Sequence, residues 1–351
     1  MSTKRRRTIL RWMWAGVFVL LLVIGGIGYV AYERIYQPNV EVADPNRNFL
    51  LIPTGADFDD VINLLHEKKA LKDEASFRWT AGRMKYGSDV KPGRYKLRSG
   101  MSNRELVQLL RSGRQTPVKL VFNNIRTTRE LADRIGQQLE LEPDALLHLL
   151  EDNDYLQPLG FNAGNVLAMF LPDTYEFYWN TSADQFLQRM KKEYAKFWNA
   201  SRQQKAKRIG LQQVEVSILA SIVQQETNRN DEKPIIAGVY LNRLKKGMRL
   251  DADPTLVYAL GDFTITRVLN IHKTIDSPYN TYLYAGLPPG PICLPTSASI
   301  DAVLNHQAHN YYYFCARDDF SGYHAFAATY VQHLVNARRF QKALDRRGIR
   351  N

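Results

Sequence analysis

The sequence predicts an α+β protein with a single N-terminal transmembrane helix, a small α/β module and a mainly helical C-terminal domain. Three observations support this fold class: an uncharged apolar stretch near the N-terminus, a strand–helix–helix–strand pattern after it, and helical apolar periodicity through the second half. The chain has 351 residues, 45% of them hydrophobic, which is enough for two or three domains with cores of their own.

The apolar stretch Trp12–Tyr32 is long enough to cross a bilayer, since a helix rises about 1.5 Å per residue and the hydrocarbon core is about 30 Å thick. The basic residues Lys4–Arg7 precede it, so the positive-inside rule places a tail of residues 1–11 in the cytoplasm and everything after about Arg34 outside. A cleaved signal peptide is the alternative. We favour a retained anchor over residues 12–32, because the apolar run is long and no small-x-small cleavage site follows it.

Residues 33–47 are polar and contain Pro38 and Pro45, which predicts a juxtamembrane linker. The α/β module is predicted over residues 48–115. Its expected elements are a strand at Phe49–Ile52, helices over Asp57–Lys69 and Glu74–Met84, a strand at Gly93–Leu97, and a helix that starts at a Ser102–Glu105 capping box.

A connecting α/β region is predicted over residues 116–170, and a helical domain over 171–351. The first has an expected strand at Val118–Phe122, a capped helix from Thr127 to Leu139 and a short helix after Glu142. The second has expected helices over 183–207, 214–227, 234–245 and 329–344, a helix with Asp253 as N-cap, an irregular loop over 277–295 and a strand over 310–315.

Glu226 is the main catalytic candidate. Ile218, Ile222 and Glu226 are four residues apart, so on a helix they share one stripe. A carboxyl group that continues an apolar stripe is poorly hydrated, which raises its pKa and lets it act as a general acid near neutral pH. The alternative is a frayed helix end at which Glu226 is solvated.

The C-terminal half resembles the YceG-like family of endolytic murein transglycosylases. Seven blocks carry the resemblance, in this order: Leu171–Phe177, Ala220–Thr227, Val239–Leu244, Met248–Thr255, Ser277–Tyr282, Gly286–Ile292 and Gly322–Phe326. The likeness extends over about Phe49–Ala343. It implies that Glu226 is the catalytic glutamate and that residues 48–115 form a LysM-like subdomain.

The resemblance also implies the reaction. Lytic transglycosylation needs one carboxyl group as acid and then base, and it leaves a 1,6-anhydro sugar without consuming water. Hydrolysis of a glycoside usually takes two carboxylates. Asp251, Asp253 and Asp276 are the candidates for a second one, although capping of a helix explains Asp253. A muramidase-type hydrolase therefore stays an alternative.

Seven residues are predicted to bind the sugar chain or to form the wall of its site. Tyr279, Asn280, Thr281 and Tyr282 form a loop of hydrogen-bonding and aromatic side chains beside rigid prolines, as glycan grooves do; a turn packed by two tyrosine rings is the alternative. Asn242 and Arg243 are expected in the site wall, or else on a helix surface. His324 is expected to orient a polar group of the site, or else to be structural.

Two departures from the family pattern are visible. Gln224 and Gln225 stand where charged residues are common, which predicts a change at the surface. Cys293-Leu294-Pro295 replaces the family's usual small-Asn-Pro ending of the Pro-Gly-Pro loop, so this chain lacks the asparagine and any substrate contact that it makes. Cys293 and Cys315 are the two cysteines, and either a disulfide or two thiols is compatible with an extracytoplasmic domain.

Other functional classes have little support. Although the net charge is +12, no nucleic-acid-binding signature is present. The sequence contains no metal-ligand spacing and no Gly-rich phosphate loop, so we expect neither a metal nor a cofactor. The resemblance implies a protein of the plasma (inner) membrane that ends the growth of periplasmic glycan strands beside peptidoglycan synthases. A non-catalytic scaffold that tethers the wall is the other alternative, and it has no use for Glu226.

Overall fold

A computed structural model describes residues 3–44, 48–265 and 267–348, with side chains from Leu10 onward. The chain is a mixture of helices and short strands, and it divides into two compact units. The first contains the residues up to Val118 and Glu176–Thr181; the second contains Lys119–Tyr175 and Ser182 onward. The division into 116–170 and 171–351 stays a prediction.

The first unit contains a long helix followed by a small α/β body. Its elements are α1 (Thr3–Tyr36), β1 (Phe49–Ile52), α2 (Phe58–Glu67), α3 (Glu74–Arg83), β2 (Gly93–Lys96) and α4 (Asn103–Ser112). The strands β1 and β2 pair antiparallel, with Phe49 opposite Lys96 and Ile52 opposite Gly93. This β–α–α–β arrangement agrees with the predicted elements, and the capping box of Ser102 and Glu105 is present.

One helix among the described residues, over Leu10–Tyr36, is long and apolar enough to cross a membrane. The predicted linker over 33–47 overlaps the end of α1, which continues to Tyr36, and the linker stays a prediction. Asn39 and Val40 are 5% and 0% exposed, and Val40 forms a bridge with Leu71. Pro45 lies outside the described residues.

The second unit is mainly helical. Strand β3 (Val118–Val121) leads into it, and β3 pairs with β4 (Thr174–Phe177). The helices are α5 (Thr128–Gly136), α6 (Pro143–Glu151), α7 (Asn153–Leu156), α8 (Ala183–Phe197), α9 (Ala200–Arg208), α10 (Gln213–Glu226), α11 (Lys233–Lys245), α12 (Asp253–Leu260), α13 (Ser297–Leu304) and α14 (Tyr330–Arg346). A hairpin of β5 (Tyr313–Ala316) and β6 (His324–Ala327) precedes α14.

The structure differs from the predicted elements at several places. The single helix predicted over 183–207 is two helices, because the buried Trp198 leaves helical geometry and Asn199 caps α9. The strands β4 and β6 and the helix α13 were not predicted. Thr127 caps α5 as expected, but Glu130 accepts from the backbone of Arg126, so no capping box forms.

Candidate active site

Helix α10 places Glu226 at the edge of the core of the second unit. Residues 216–223 of this helix are all buried, and the helix packs against α11 and α13. The predicted apolar stripe is present, since Ile218 and Ile222 are 4% and 0% exposed. Glu226 is the last residue of α10 and is partly exposed, so the stripe ends in a carboxyl group at a surface opening.

Burial raises the pKa of the Glu226 carboxyl group to about 7, because desolvation penalises the charged form. The phenol of Tyr240 on α11 donates a hydrogen bond to Glu226 Oε1 at 2.5 Å, which stabilises the carboxylate and opposes the rise. The negative charge of Asp253 adds to the rise, and the positive charge of Arg243 opposes it. Glu226 is helical and only partly exposed, so the alternative of a frayed and fully solvated helix end does not apply.

Glu226 lines two cavities of the second unit. The first cavity has a volume of about 470 Å³ and is lined by Arg126, Gln225, Glu226, Asp253, Pro254, Val257, Tyr258, Phe263, Ile265, Arg267, Val268 and Ile292. The second has a volume of about 560 Å³ and is lined by Glu226, Thr227, Asn228, Arg229, Ala316, Arg317, Phe320, Gly322, Tyr323, His324 and Phe340. Glu226 is thus a lining residue of two cavities.

Asp253 is not the N-cap of α12, which corrects the sequence prediction. Ala252 occupies the N-cap position, and Asp253 is the first helical residue, without a capping hydrogen bond. Its Oδ1 accepts from the hydroxyl of Tyr282 at 2.6 Å. Of the three candidate second carboxylates, Asp253 alone lines a cavity with Glu226, whereas Asp251 pairs with Arg243 and Asp276 accepts from Tyr284.

The loop of Tyr279–Tyr282 is tied to the segment that carries Asp253. Asn280 is fully buried and donates to the carbonyl groups of Lys273 and Ile275. The hydroxyl of Thr281 accepts from Ala252 N at 3.0 Å. These bonds give both side chains a structural task, and sugar binding by them stays a prediction.

The two tyrosines of this loop lie against other aromatic or acidic side chains. The ring of Tyr279 packs on Tyr258, a residue of the first cavity, with 4.6 Å between centroids. The hydroxyl of Tyr282 donates to Asp253, as described above. Both rings are therefore close to the lining of the first cavity, although neither is part of it.

Asn242 and Arg243 lie outside the linings of both cavities. The amide of Asn242 donates to the carbonyl groups of His309 and Tyr311 at 2.8 and 3.0 Å. Arg243 is 7% exposed, and its guanidinium donates to the Leu250 carbonyl at 2.8 Å and to Asp251 Oδ2 at 3.0 Å. Arg243 thus holds the chain that leads to Asp253, and contact with substrate stays a prediction.

His324 lines the second cavity and pairs with a buried carboxylate. Its Nδ1 is 2.9 Å from Glu232 Oε2, and its backbone N–H donates to Glu232 Oε1 at 2.8 Å. Glu232 is 4% exposed and stands at the N-terminus of α11. The predicted role of His324, to orient a polar group of the site, stays a prediction.

Gln224 is partly buried and bonded to the loop before α13, which corrects the expectation of a simple surface change at this position. Its Oε1 accepts from Thr296 N at 2.7 Å and from Ser299 Oγ at 3.0 Å, and its Nε2 donates to the Leu294 carbonyl at 3.1 Å. Gln225 is exposed and lies in the first cavity, with Nε2 at 3.3 Å from Cys293 Sγ. Both glutamines therefore touch the loop in which this chain departs from the family pattern.

The two cysteines are free thiols, Cys293 buried and Cys315 partly buried. Within the described part of the chain, no group of three His, Cys, Asp or Glu side chains could hold a metal ion.

Sequence reasoning missed two residues of the site, Tyr240 and Arg126. Tyr240 lies within one of the quoted blocks, but its contact with Glu226 joins two helices and leaves no local pattern. Arg126 lines the first cavity, with Cζ 4.5 Å from the centroid of the Phe263 ring. No spacing in the sequence connects Arg126 with either Phe263 or Glu226.

The profile of the YceG-like family matches residues 50–339, which is most of the chain. The chain belongs to the YceG-like family. A crystal structure of a YceG-like protein from Listeria monocytogenes is similar to it, with a TM-score of 0.55 and 28% sequence identity. That likeness covers 82% of this chain and 97% of the Listeria chain, so the YceG-like fold is shared over most of both.

Two relatives of this chain are named endolytic murein transglycosylase. The protein of Bacillus subtilis is 27% identical over 329 residues, which cover 89% of this chain and 89% of that protein. The protein of Streptococcus pneumoniae serotype 2 is 25% identical over 336 residues, which cover 86% of this chain and 60% of that protein.

Proposed function

We propose that this protein is an endolytic murein transglycosylase in which Glu226 is the acid and then the base. The observation that carries the proposal is a carboxyl group at the end of an apolar helix stripe that lines two cavities, where burial raises its pKa to about 7. A general acid works best when its pKa is close to the ambient pH. The names of the Bacillus and Streptococcus relatives support the same activity.

The chemistry requires a single carboxyl group. Protonated Glu226 gives its proton to the glycosidic oxygen between N-acetylmuramic acid and N-acetylglucosamine, and the bond from this oxygen to the anomeric carbon breaks. The resulting carboxylate then takes the proton of the muramic acid 6-hydroxyl, whose oxygen bonds to the anomeric carbon. The products are a 1,6-anhydro end and a free 4-hydroxyl, Glu226 is protonated again, and no water is consumed.

Tyr240 and the two cavities fit these steps. The Tyr240 hydroxyl donates to the carboxylate that forms after the first proton transfer, so it stabilises that charge inside the protein. Glu226 lines both cavities, and in this proposal they hold the sugars on the two sides of the bond that breaks. Cleavage within a strand, rather than only at its end, needs such an arrangement.

The remaining parts of the chain have supporting tasks in this proposal. Residues 12–32 span the plasma membrane with the N-terminus in the cytoplasm, and the body is extracytoplasmic. The β–α–α–β order of residues 49–96 is the basis for assigning this module as a LysM-like subdomain, which in this proposal binds glycan and positions the glycan strand. The reaction then ends the growth of new strands beside the peptidoglycan synthases.

A muramidase-type hydrolase is the second candidate, and the position of Asp253 favours it. Asp253 lines the same cavity as Glu226, and hydrolysis of a glycoside usually uses two carboxylates. The two reactions differ in their products. A transglycosylase leaves 1,6-anhydro ends, whereas a hydrolase leaves reducing ends and adds one water per cleavage.

The test is a comparison of Glu226→Gln with the natural chain on purified glycan strands, with mass spectrometry of the products. Glutamine keeps the size but cannot donate a carboxyl proton, so we expect turnover to fall by more than the roughly 10²–10⁴-fold typical of one acid–base contribution. Strand binding should persist. Glu151→Gln, at an exposed position of the same unit, is the control and should leave turnover unchanged.

Near-normal turnover of Glu226→Gln would overturn the assignment of Glu226. Reducing ends in place of anhydro ends from the natural chain would overturn transglycosylation in favour of the hydrolase. In that case Asp253→Asn should remove activity as completely as Glu226→Gln.

A further inference from the structure

The C-terminal end of α1 is bonded to the body of the first unit. The last carbonyl groups of a helix lack partners within the helix. Here the Arg34 carbonyl accepts from Thr80 Oγ1 at 3.1 Å and from Asn103 Nδ2 at 2.8 Å. Thr80 and Asn103 are each 1% exposed, so these bonds are shielded from water.

The chain that leaves α1 is held by a second buried amide. Asn39 Nδ2 donates to Asn103 Oδ1 at 2.7 Å and to the Asp73 carbonyl at 2.8 Å, while Asn39 Oδ1 accepts from Asp73 N at 2.7 Å. Asn39 itself is 5% exposed. Buried polar groups that are fully bonded favour one arrangement, so α1 and the body of this unit form one piece.

This connection sets the level of two other helices relative to the apolar part of α1. Arg34 follows Tyr32 by two residues, about 3 Å along the helix. The Arg34 guanidinium carbon is 5.6 Å from the centroid of the Trp79 ring on α3, and that of Arg83 is 5.3 Å from the same ring. Residues that contact Arg34 therefore lie at the level where the apolar stretch ends.

Helix α4 contacts the last residue of α1, since Tyr36 follows Arg34 by two residues, about 3 Å along the helix. Arg104 Nη1 donates to the hydroxyl of Tyr36 at 3.1 Å, and its guanidinium carbon is 5.3 Å from the Tyr36 ring. We call Arg34, Tyr36, Trp79, Arg83 and Arg104 the interfacial patch.

The patch has the chemistry of a membrane surface contact. Its three arginines are exposed and Trp79 is partly buried. Trp and Tyr are enriched at the membrane–water interface, and arginines near the surface are attracted to anionic lipids. Glu33 is an acidic neighbour on the last turn of α1, while the carboxylate of Glu105 caps α4 through Ser102.

We propose that the interfacial patch rests on the headgroups of anionic lipids and holds the first unit directly on the membrane surface. The proposal rests on the membrane anchoring described under the proposed function. A unit fixed in this way contacts the glycan nearest to the bilayer. Asn39 and Val40, which follow α1, are buried against the body of this unit, so this part of the described chain is not a free spacer.

The experiment uses the full chain in lipid nanodiscs and follows hydrogen–deuterium exchange of the backbone amides of residues 79–85. One set of nanodiscs contains phosphatidylcholine alone, and the other contains phosphatidylcholine with phosphatidylglycerol. We expect residues 79–85 to exchange at least about fivefold more slowly in the anionic discs. A factor of this size corresponds to roughly one arginine at an anionic surface. Added salt should reduce this difference.

The test variant carries Arg83→Gln and Arg104→Gln together, and the control variant carries Arg78→Gln. In the double variant, residues 79–85 should exchange at the same rate in both kinds of nanodisc. Arg78 is on the same helix as Arg83 but bonds to Glu74 and Asp59 at 2.8 Å each, so its replacement should leave the difference intact. Unchanged exchange in the α2 core shows that each variant is folded.

Equal exchange in both lipids for a chain that has entered the discs would overturn the patch and leave the anchoring intact. An equal effect of Arg78→Gln would show that net charge, not the patch, is responsible, and would also overturn it. A chain that does not enter the discs would overturn the anchoring itself, and the patch with it.

Discussion

At the scale of single residues, Glu226 is controlled by two neighbours that act in opposite directions. The hydrogen bond from Tyr240 favours the carboxylate and lowers the pKa of Glu226. The charge of Asp253 disfavours the carboxylate and raises the same pKa. Desolvation is larger than either effect, and the balance brings the pKa to about 7.

This balance predicts that two substitutions shift the pH dependence of cleavage in opposite directions. The protonated form of Glu226 starts the reaction, so kcat/KM should fall as the pH rises through about 7. Tyr240→Phe removes a bond to the charged form, so the pKa should rise and the alkaline limb should move to higher pH. Asp253→Asn removes a negative charge, so the limb should move to lower pH.

The measurement is kcat/KM on glycan strands between about pH 5 and 9, a range centred on the pKa of about 7. Tyr312→Phe is a control, because this tyrosine lies outside the linings of both cavities. Shifts of the same sign for Tyr240→Phe and Asp253→Asn would contradict the assignment of the limb to Glu226.

At the scale of elements, one side chain joins α10 to α13 and to the loop before it. Gln224 makes three hydrogen bonds to Leu294, Thr296 and Ser299, and they hold the start of α13 against the end of α10. The loop is also held from within α10, because the buried Ser221 Oγ accepts from Ile292 N at 3.0 Å. The position of Ile292 in the first cavity depends on these contacts.

Gln224→Ala should therefore destabilise the second unit, while Gln225→Ala should not. Loss of the Gln224 amide leaves partly buried donors and an acceptor without partners, which costs about 1–3 kcal/mol of unfolding free energy. Gln225 is exposed, and its contact to a thiol is weak. Urea unfolding of both variants measures the difference, and equal midpoints would contradict a structural role for Gln224.

Local patterns explain which elements could be predicted. The caps of α4 and α5 and the apolar stripe of α10 involve neighbours in the chain, and all three were predicted. The break at Trp198 was not, because the apolar pattern continues through it and burial of the indole decides the local backbone.

At the scale of the whole molecule, the apolar part of α1 separates a basic tail from the rest of the chain. We expect a reporter enzyme fused after the C-terminal residue to be exported from the cytoplasm, because Lys4–Arg7 retain the N-terminus inside. A reporter that works only outside the cytoplasm should therefore be active in this fusion. Replacement of Lys4, Arg5, Arg6 and Arg7 by Glu is the control and should reduce export. A full-length chain with a C-terminus that proteases reach only in opened cells would contradict this topology.

The sequence by itself determined the apolar span, the β–α–α–β order of the first unit, the family, and Glu226 as the candidate acid. Each of these depends on residues that are close in the chain or on blocks in a fixed order. Periodicity, caps and apolar length are local properties, so they can be predicted without knowledge of the contacts between distant elements.

Only the tertiary structure decided which groups surround Glu226 and how α1 meets its unit. The bond from Tyr240, the placement of Asp253 in the same cavity, and the contacts of Arg34 with Thr80 and Asn103 all join separate elements. Asp253 shows the reason most clearly. Its position before a proline is typical of a helix cap. In the fold, however, the Tyr282 hydroxyl lies close and donates a hydrogen bond to the Asp253 carboxylate.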